Sequence, residues 1–277
     1  MTPDQRSKAD TFLALHRDPK VLVLANVWDV AGVRVFERAG FAALATTSSG
    51  IAAARGYPDG ELIPFDEMLG VIADIVGATR LPVTADIETG YGPTVANVIE
   101  NVAAVIDVGA VGINIEDADP RTRALFDVAF QVDKIGAIRD RASSMGLHLV
   151  INARTDGYLL PGLSGADRFT GTVARGQAYA AAGADCIFVP GVQDGELIAR
   201  LVGEIGAPIN VLAGPATPSV GELEAIGVAR LSIGGGAMRA VLALIRDIAA
   251  ELHDQGTYST LFRETLAWAE MDALFEE

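Results

Sequence analysis

Short apolar and β-branched runs alternate along the chain with longer stretches in which apolar positions recur every three or four residues, from about Val21 into the C-terminal region. The short runs predict strands at 21–25 (VLVLA), 42–46 (AALAT), 82–86 (PVTAD), 111–115 (VGINI), 148–153 (HLVINA), 185–190 (DCIFVP), 208–212 (PINVL) and 229–233 (ARLSI). The longer stretches predict helices near 30–39, 66–78, 94–108, 131–145, 168–182, 195–205, 219–226 and 236–252. Eight strand–helix units match a closed (β/α)₈ barrel, in which each parallel strand returns through a helical crossover. An open doubly wound sheet would want a glycine-rich phosphate turn after its first strand, yet VLVLANVWDVAG has no glycine before Gly32. The expectation is therefore one α/β barrel domain over 1–277. An N-terminal helix lies within 1–20 (pattern 3–16). A C-terminal helical extension lies within 255–277 (pattern 258–275, with Leu261, Phe262, Leu266, Trp268, Met271, Leu274 and Phe275). Gly183, Gly206 and Gly227 fall between helical runs and strands, where a left-handed cap is wanted.

Composition narrows the partners. The 277 residues are 50% hydrophobic and 21% charged, enough for a large core without staples. Thirty-six Asp and Glu against 21 Lys and Arg give a formal charge of −15, which repels nucleic acid and anionic membranes but leaves a small anionic substrate open if a cation reverses the local potential. The lone Cys186 rules out an internal disulfide and any multi-cysteine metal site. The polar start MTPDQRSKAD and the lack of a long apolar run point to a cytoplasmic protein.

In such a barrel the chemistry sits where the strands end. The first strand delivers Asn26, Trp28 and Asp29, and the second delivers Thr47, Ser48, Ser49 and Gly50. Asp86 and Glu88 follow the third, Glu116 and Asp117 the fourth, and Arg154 and Asp156 the fifth. On an extended backbone Asp86 and Glu88 would both face the axis, with Glu116 level on the next strand. Three converging carboxylates need a cation, a proton or water between them, and a divalent metal is the simplest solution. Oxygen donors without His or Cys favour Mg²⁺, with Mn²⁺ as the alternative, and Asp59 of GYPDGE can extend the donor set. Arg154 offers a planar fork for a carboxylate or phosphoryl group.

The bland readings stand beside these. Any one Asp or Glu at a strand end can cap a helix or pair with a base, and Ser48 and Ser49 can be turn residues. A Ser-His-Asp triad is poorly supported, because His16, His148 and His253 lie away from the strand ends. Cys186 sits inside a strand and reads as a buried inert thiol. Trp28 can cover a ligand or simply pack, and the Gly234-Gly235-Gly236 run reads as a tight turn before it reads as a phosphate grip.

The segments NVWDVAGVRVFERAGFAALATTSSGIA, ADIETGYG, GINIEDA, INARTDG, GADCIFVPG and GVARLSIGG resemble, in order, those of the isocitrate lyase/phosphoenolpyruvate mutase superfamily, over about Val21 to Leu244. That resemblance implies a Mg²⁺-binding barrel acting on 2-oxo acids through an enolate, assembled as a homodimer or homotetramer that exchanges C-terminal helices. By motif, it implies that Asp86 ligates the metal directly and that Asp59, Glu88 and Glu116 hold its waters. Ser49, Gly50, Ile51 and Arg154 would grip the substrate, with Trp28 lining the pocket. Arg154, Glu116 and Asp59 would form the catalytic set.

The chain departs from the isocitrate and methylisocitrate lyase branch after strand four. It reads IEDADPRTRALFDVAFQVDK, without the Cys and His of that branch's loop, and VLAGPATPS lacks the Asn and Thr that hold an extra carboxylate. Arg121 and Arg123 supply charge, but not in the Lys and Asn pattern of phosphonomutases. The expectation is a Mg²⁺-dependent carbon–carbon lyase for a small 2-oxo dicarboxylate such as oxaloacetate. Phosphonomutase or phosphonopyruvate hydrolase chemistry is the alternative, and a catalytically silent 2-oxo acid binder is the rival from another class.

Overall fold

A computed structural model describes residues 2–160 and 165–276. Eight parallel strands close on themselves in sequence order: β1 (Leu22–Val27), β2 (Leu44–Thr46), β3 (Val83–Asp86), β4 (Gly112–Glu116), β5 (Val150–Arg154), β6 (Cys186–Phe188), β7 (Ile209–Leu212) and β8 (Arg230–Ser232). Every predicted strand is present; β2, β3, β6, β7 and β8 are trimmed, whereas β1, β4 and β5 start later and run one or two residues past their predicted ends. The surrounding helices are α2 (Val30–Arg38), α4 (Phe65–Gly77), α5 (Val95–Asp107), α6 (Val128–Ser144), α7 (Gly165–Ala181), α8 (Gly195–Ile205), α9 (Val220–Ile226) and α10 (Gly236–Asp254). A short helix that the periodicity did not predict, α3 (Ser48–Ala54), follows β2; the Thr47 hydroxyl starts it by accepting the Gly50 N–H. Gly206 and Gly227 end α8 and α9 in the left-handed conformation, as their position predicts.

The N-terminal helix α1 (Pro3–Leu15) closes the end of the barrel opposite the strand C-termini. Gln5 Nε2 donates to Ile106 O (2.7 Å) and Ala110 O (3.1 Å), just before β4. Phe12, fully buried, packs on Gly112 so closely that a Cβ there would lie 2.8 Å from the ring. His16 stacks edge-on to Phe12 and donates from Nδ1 to Phe12 O (2.8 Å).

The expected continuous helix at 258–275 does not form. Only α11 (Trp268–Ala273) is helical, because the Glu251 carboxylate accepts from Thr257 Oγ1, Ser259 N and Thr260 N and ties a turn after α10. These donors hold Glu251 at a pKa of about 2. Apolar periodicity in this segment reflects an exposed surface: Tyr258, Phe262, Leu266, Trp268 and Phe275 all face solvent. Among the described residues no helix is long and apolar enough to cross a membrane.

Burial, and then the nearby Arg230 charge, push His16 down to about pKa 4. Because the unfolded state, with its ordinary pKa of about 6.5, binds more protons as pH falls below that value, stability falls between pH 6.5 and 4. The acids at the other end of the barrel titrate over the same range, so the His16 contribution is read as a difference: on going from pH 7 to pH 5 in urea unfolding, the parent protein should lose about 2 kcal/mol relative to the change seen in His16→Gln.

Candidate functional site

At the C-terminal ends of the strands lie two adjoining cavities that share Asp59. One, of about 150 Å³, is lined by Asp86, Asn114, Arg154, Ser49, Asn26 and Ser232 among others. The other, of about 220 Å³, is lined by Asp59, Glu88, Glu116, Asp156, Asp119 and Arg123 among others. Cavities this small admit a small ligand rather than a drug-sized one.

Asp86 ends β3. Its Oδ2 accepts from Ser48 N (3.1 Å) and Ser48 Oγ (2.9 Å) at the start of α3, while Thr46 Oγ1 accepts its backbone N–H at 2.8 Å. Its Oδ1 is sealed from solvent and has no hydrogen-bond partner. A buried carboxylate oxygen left unpaired is costly, so this atom suits a ligand to a cation.

Glu88 corrects the expected geometry. The strand stops at Asp86, and Glu88 sits in the left-handed region at φ 52° rather than extended. Glu61 N donates to Glu88 Oε2 (2.8 Å), and Tyr91 OH donates to Oε1 (3.1 Å). Glu61, itself at φ 58°, accepts through Oε1 from Thr89 N, Thr89 Oγ1 and Tyr91 N. Burial, reinforced by Asp59, Asp86 and Glu61, raises Glu88 to about pKa 8. Glu116 stands level with Glu88, whose O accepts its N–H (2.7 Å), and burial lifts it well above the carboxylate range against the opposing pull of Arg154. Asp59, at the open rim, is raised by desolvation and then by Asp86.

Arg154 binds both neighbouring acids, donating from Nη1 to Glu116 Oε1 and from Nε and Nη2 to Asp156 Oδ1 (2.6 Å) and Oδ2 (3.0 Å). Burial works against its charge, but Glu116 and Asp156 outweigh it and raise the guanidinium pKa. Behind the site, Lys134 Nζ donates to Thr89 O (3.2 Å) and Glu116 O (3.3 Å), tying the loops after β3 and β4 together.

Asp59, Asp86, Glu88, Glu116, Arg154 and Ser49 therefore meet, but the carboxylates are split between the two cavities. Among the described residues, no three His, Cys, Asp or Glu side chains are grouped tightly enough to hold an ion by themselves. The donor set fits one direct ligand, Asp86, with water completing the shell, a coordination habit of Mg²⁺.

The structure does not bring Trp28 and Ile51 into these cavities. They line a neighbouring groove beside α3, where Ile51 is fully buried. Gly50 lies buried inside α3, its Cα against Thr47 and Trp28. Asp29 caps α2, and Asp117 faces away to Arg175 and Tyr179. Cys186 is buried, with burial lifting its thiol to about 12.

Sequence reasoning missed Glu61, Tyr91, Lys134 and Asn114. Glu61 and Tyr91 act through backbone turns that no periodicity reveals. Asn114 left a trace, an amide interrupting the otherwise apolar GINI of a strand buried on both faces.

A family model described as phosphoenolpyruvate phosphomutase matches residues 12–253. A crystal structure from Burkholderia cenocepacia J2315, assigned only provisionally as a lyase/mutase, superposes with a TM-score of 0.93 at 36% identity, covering 100% of this chain and 98% of that one. The 2-methylisocitrate lyase of Halalkalibacterium halodurans is 30% identical, covering 98% of this chain and 93% of the relative. The 2,3-dimethylmalate lyase of Eubacterium barkeri is 33% identical, covering 75% and 73%. The chain belongs to the phosphoenolpyruvate phosphomutase family, within the isocitrate lyase/phosphoenolpyruvate mutase superfamily of enzymes.

Proposed function

We propose that this chain is a Mg²⁺-dependent carbon–carbon lyase acting on a small 2-oxo dicarboxylate such as oxaloacetate. The observation that carries this reading is the unpartnered Asp86 Oδ1 in a small cavity that Arg154 also lines. Mg²⁺, or Mn²⁺ in its place, would be held by Asp86, with Asp59, Glu88 and Glu116 holding its waters. When bound, it would polarise the 2-oxo group and so favour enolate character at the neighbouring carbon.

The residues of the chain do the rest. Arg154 has two N–H groups beyond the three committed to Glu116 and Asp156, and these suit a substrate carboxylate. Ser49 Oγ, 3.2 Å from Thr47 Oγ1, offers a further polar contact at the cavity wall. Relatives across most of the chain that are named lyases of 2-methylisocitrate and of 2,3-dimethylmalate support a bond-cleaving reaction on a small organic acid. The loop after β4 carries neither Cys nor His, which favours a reaction that needs no such acid, as decarboxylation does not.

Support for assembly comes from α10. Of its 19 residues only Met238 and Glu251 are buried, while Val241, Leu242, Leu244, Ile245 and Leu252 are exposed. A helix this apolar on its open face wants a partner surface, and a second copy of the chain exchanging its C-terminal region would provide one.

Purified protein should release pyruvate from oxaloacetate above the Mg²⁺-only background and lose this activity in chelator, in a panel that includes phosphonopyruvate and 2-methylisocitrate. No turnover of any panel member, with 2-oxo acid binding retained, would instead support the silent binder. Asp86→Ala should abolish Mg²⁺-dependent activity. Arg154→Ala should lower kcat/KM by about 100-fold or more, since it removes a charge-assisted contact and leaves Glu116 and Asp156 unpaired. Sedimentation should give a dimer or tetramer, and Leu242→Glu with Ile245→Glu should shift it toward monomer; a monomeric parent protein would rule out the exchange.

A further inference from the structure

Arg154 lines the cavity of Asp86, and Arg230 lies behind its wall, joined to the lining residues Asn114 and Ser232; the two arginines differ in what offsets them. Arg154 is held by two carboxylates, Glu116 and Asp156. Arg230, at the start of β8 and fully buried, has no carboxylate within 4.0 Å among the described residues. Burial pushes its pKa down to about 10, which leaves it protonated at neutral pH.

Its hydrogen bonds run through the barrel lumen. Nη2 donates to Asn114 Oδ1 (3.2 Å) on β4, the strand on the far side of the barrel, and Nε donates to Ser232 Oγ (3.3 Å). A guanidinium accepts nothing, so the atom Asn114 turns toward it must be the amide oxygen. The same oxygen accepts from Asn152 Nδ2 at 2.7 Å. With Oδ1 committed to two donors, the Asn114 amide is fixed in one of its two flips, and its NH₂ is turned away from Arg230. Among the described residues this NH₂ has no hydrogen-bond partner. It is not among the polar atoms sealed from solvent, and Asn114 lines the cavity while being only 5% exposed. The register sets Asn114 beside Asp86, as Cα partners on β3 and β4.

We propose that Asn114 is a ligand-binding residue whose NH₂ donates to a carboxylate or 2-oxo oxygen of a small anion seated beside Asp86, with the unoffset charge of Arg230 beneath the floor drawing that anion in. Arg230 and Asn152 act through Asn114 and are positioning residues. The proposal rests on the 2-oxo acid reading above and deepens it, assigning recognition of the anion to the barrel floor as well as to Arg154.

Asn114→Asp separates this role from a purely structural one. An aspartate at 114 still accepts from Arg230 and Asn152, and its ion pair with Arg230 opposes its repulsion of Asp86. A residue that merely satisfies Arg230 would therefore leave Tm intact, and any loss of anion affinity would then come from the added charge alone and be absent in the uncharged Asn114→Thr. The proposal predicts a Tm equal to or above that of the unsubstituted protein, with calorimetric affinity for oxalate in saturating Mg²⁺ weakened at least about tenfold, because one donor is lost and the floor charge is offset. Asn114→Thr, which removes the NH₂ without adding charge, should weaken oxalate in the same direction. Affinity within twofold of the unsubstituted protein in both variants overturns the role of Asn114, as does failure of both to fold, which would assign it to the core alone. If the unsubstituted protein binds neither oxalate nor pyruvate with Mg²⁺, the 2-oxo acid reading itself falls.

Discussion

Like charge gathered in a place of reduced dielectric is the constraint around which this barrel is built. Asp59, Asp86, Glu88, Glu116 and Asp156 line two small adjoining cavities, where repulsion between carboxylates is far stronger than in water. The chain holds them there with Arg154 between Glu116 and Asp156, N–H and O–H donors on Asp86 and Glu88, and Lys134 behind the loops. Part of the cost is backbone strain: Glu61, Glu88 and Tyr91 all occupy positive φ, at about 1–3 kcal/mol each. They persist because Glu61 Oε1 takes three donors from the loop after β3 and so fixes the turn that presents Glu88. Burial first, and the neighbouring acids after it, raise the pKa values of Glu88, Glu116 and Asp59, and a cation would oppose both effects.

The lumen below follows from the same constraint. Barrels of this kind usually fill their interior with branched apolar side chains. Here Asn114, Asn152, Asn210, Ser232 and Arg230 form a hydrogen-bonded layer across it, with His16 and Phe12 plugging the end beneath. A fully buried polar layer specifies one arrangement at the cost of desolvation. Its return is orientation: the Arg230 guanidinium fixes the flip of Asn114, and Asn114 in turn fixes that of Asn152, while Asn152 Oδ1 and Arg230 Nη1 are left without partners. His16 is kept neutral next to Arg230, so the plug adds no second positive charge to the one already under the floor.

The eight-unit alternation made the barrel legible, because parallel strands buried on both faces and amphipathic crossovers leave opposite periodicities. The same logic overreached at 258–275, where apolar spacing stood for an exposed surface rather than a helix, and it missed α3, too short for a period to register. Of the site, the acids and Arg154 were readable because they cluster where strands end. The split into two cavities was not, because it depends on Glu88 leaving the strand at positive φ, a conformation that its residue type does not advertise. Lys134 and Asn114 were hidden for a different reason: each is a single polar residue in an otherwise ordinary helix or strand pattern, and only burial shows that it faces inward.

The loop after β4 shows how a charge-crowded site limits the chemistry built on it. From Ala118 to Leu125 it folds back on itself through an antiparallel bridge, with Asp119 N donating to Ala124 O and Asp119 Oδ1 accepting from Arg121 N. That closure turns Arg123, at φ 54°, to line the cavity of Asp59, Glu88, Glu116 and Asp156. A cation here reduces the repulsion among four carboxylates and strengthens the field that an anionic ligand meets on entry. A neutral thiol acid at the same place would do neither. The loop thus adds positive charge to the mouth, Arg154 bridges two of the acids, and Arg230 lies unoffset beneath. The proposed anion recognition and the tolerance of the acidic cluster draw on the same three arginines, placed at the mouth, at the end of β5 and at the start of β8.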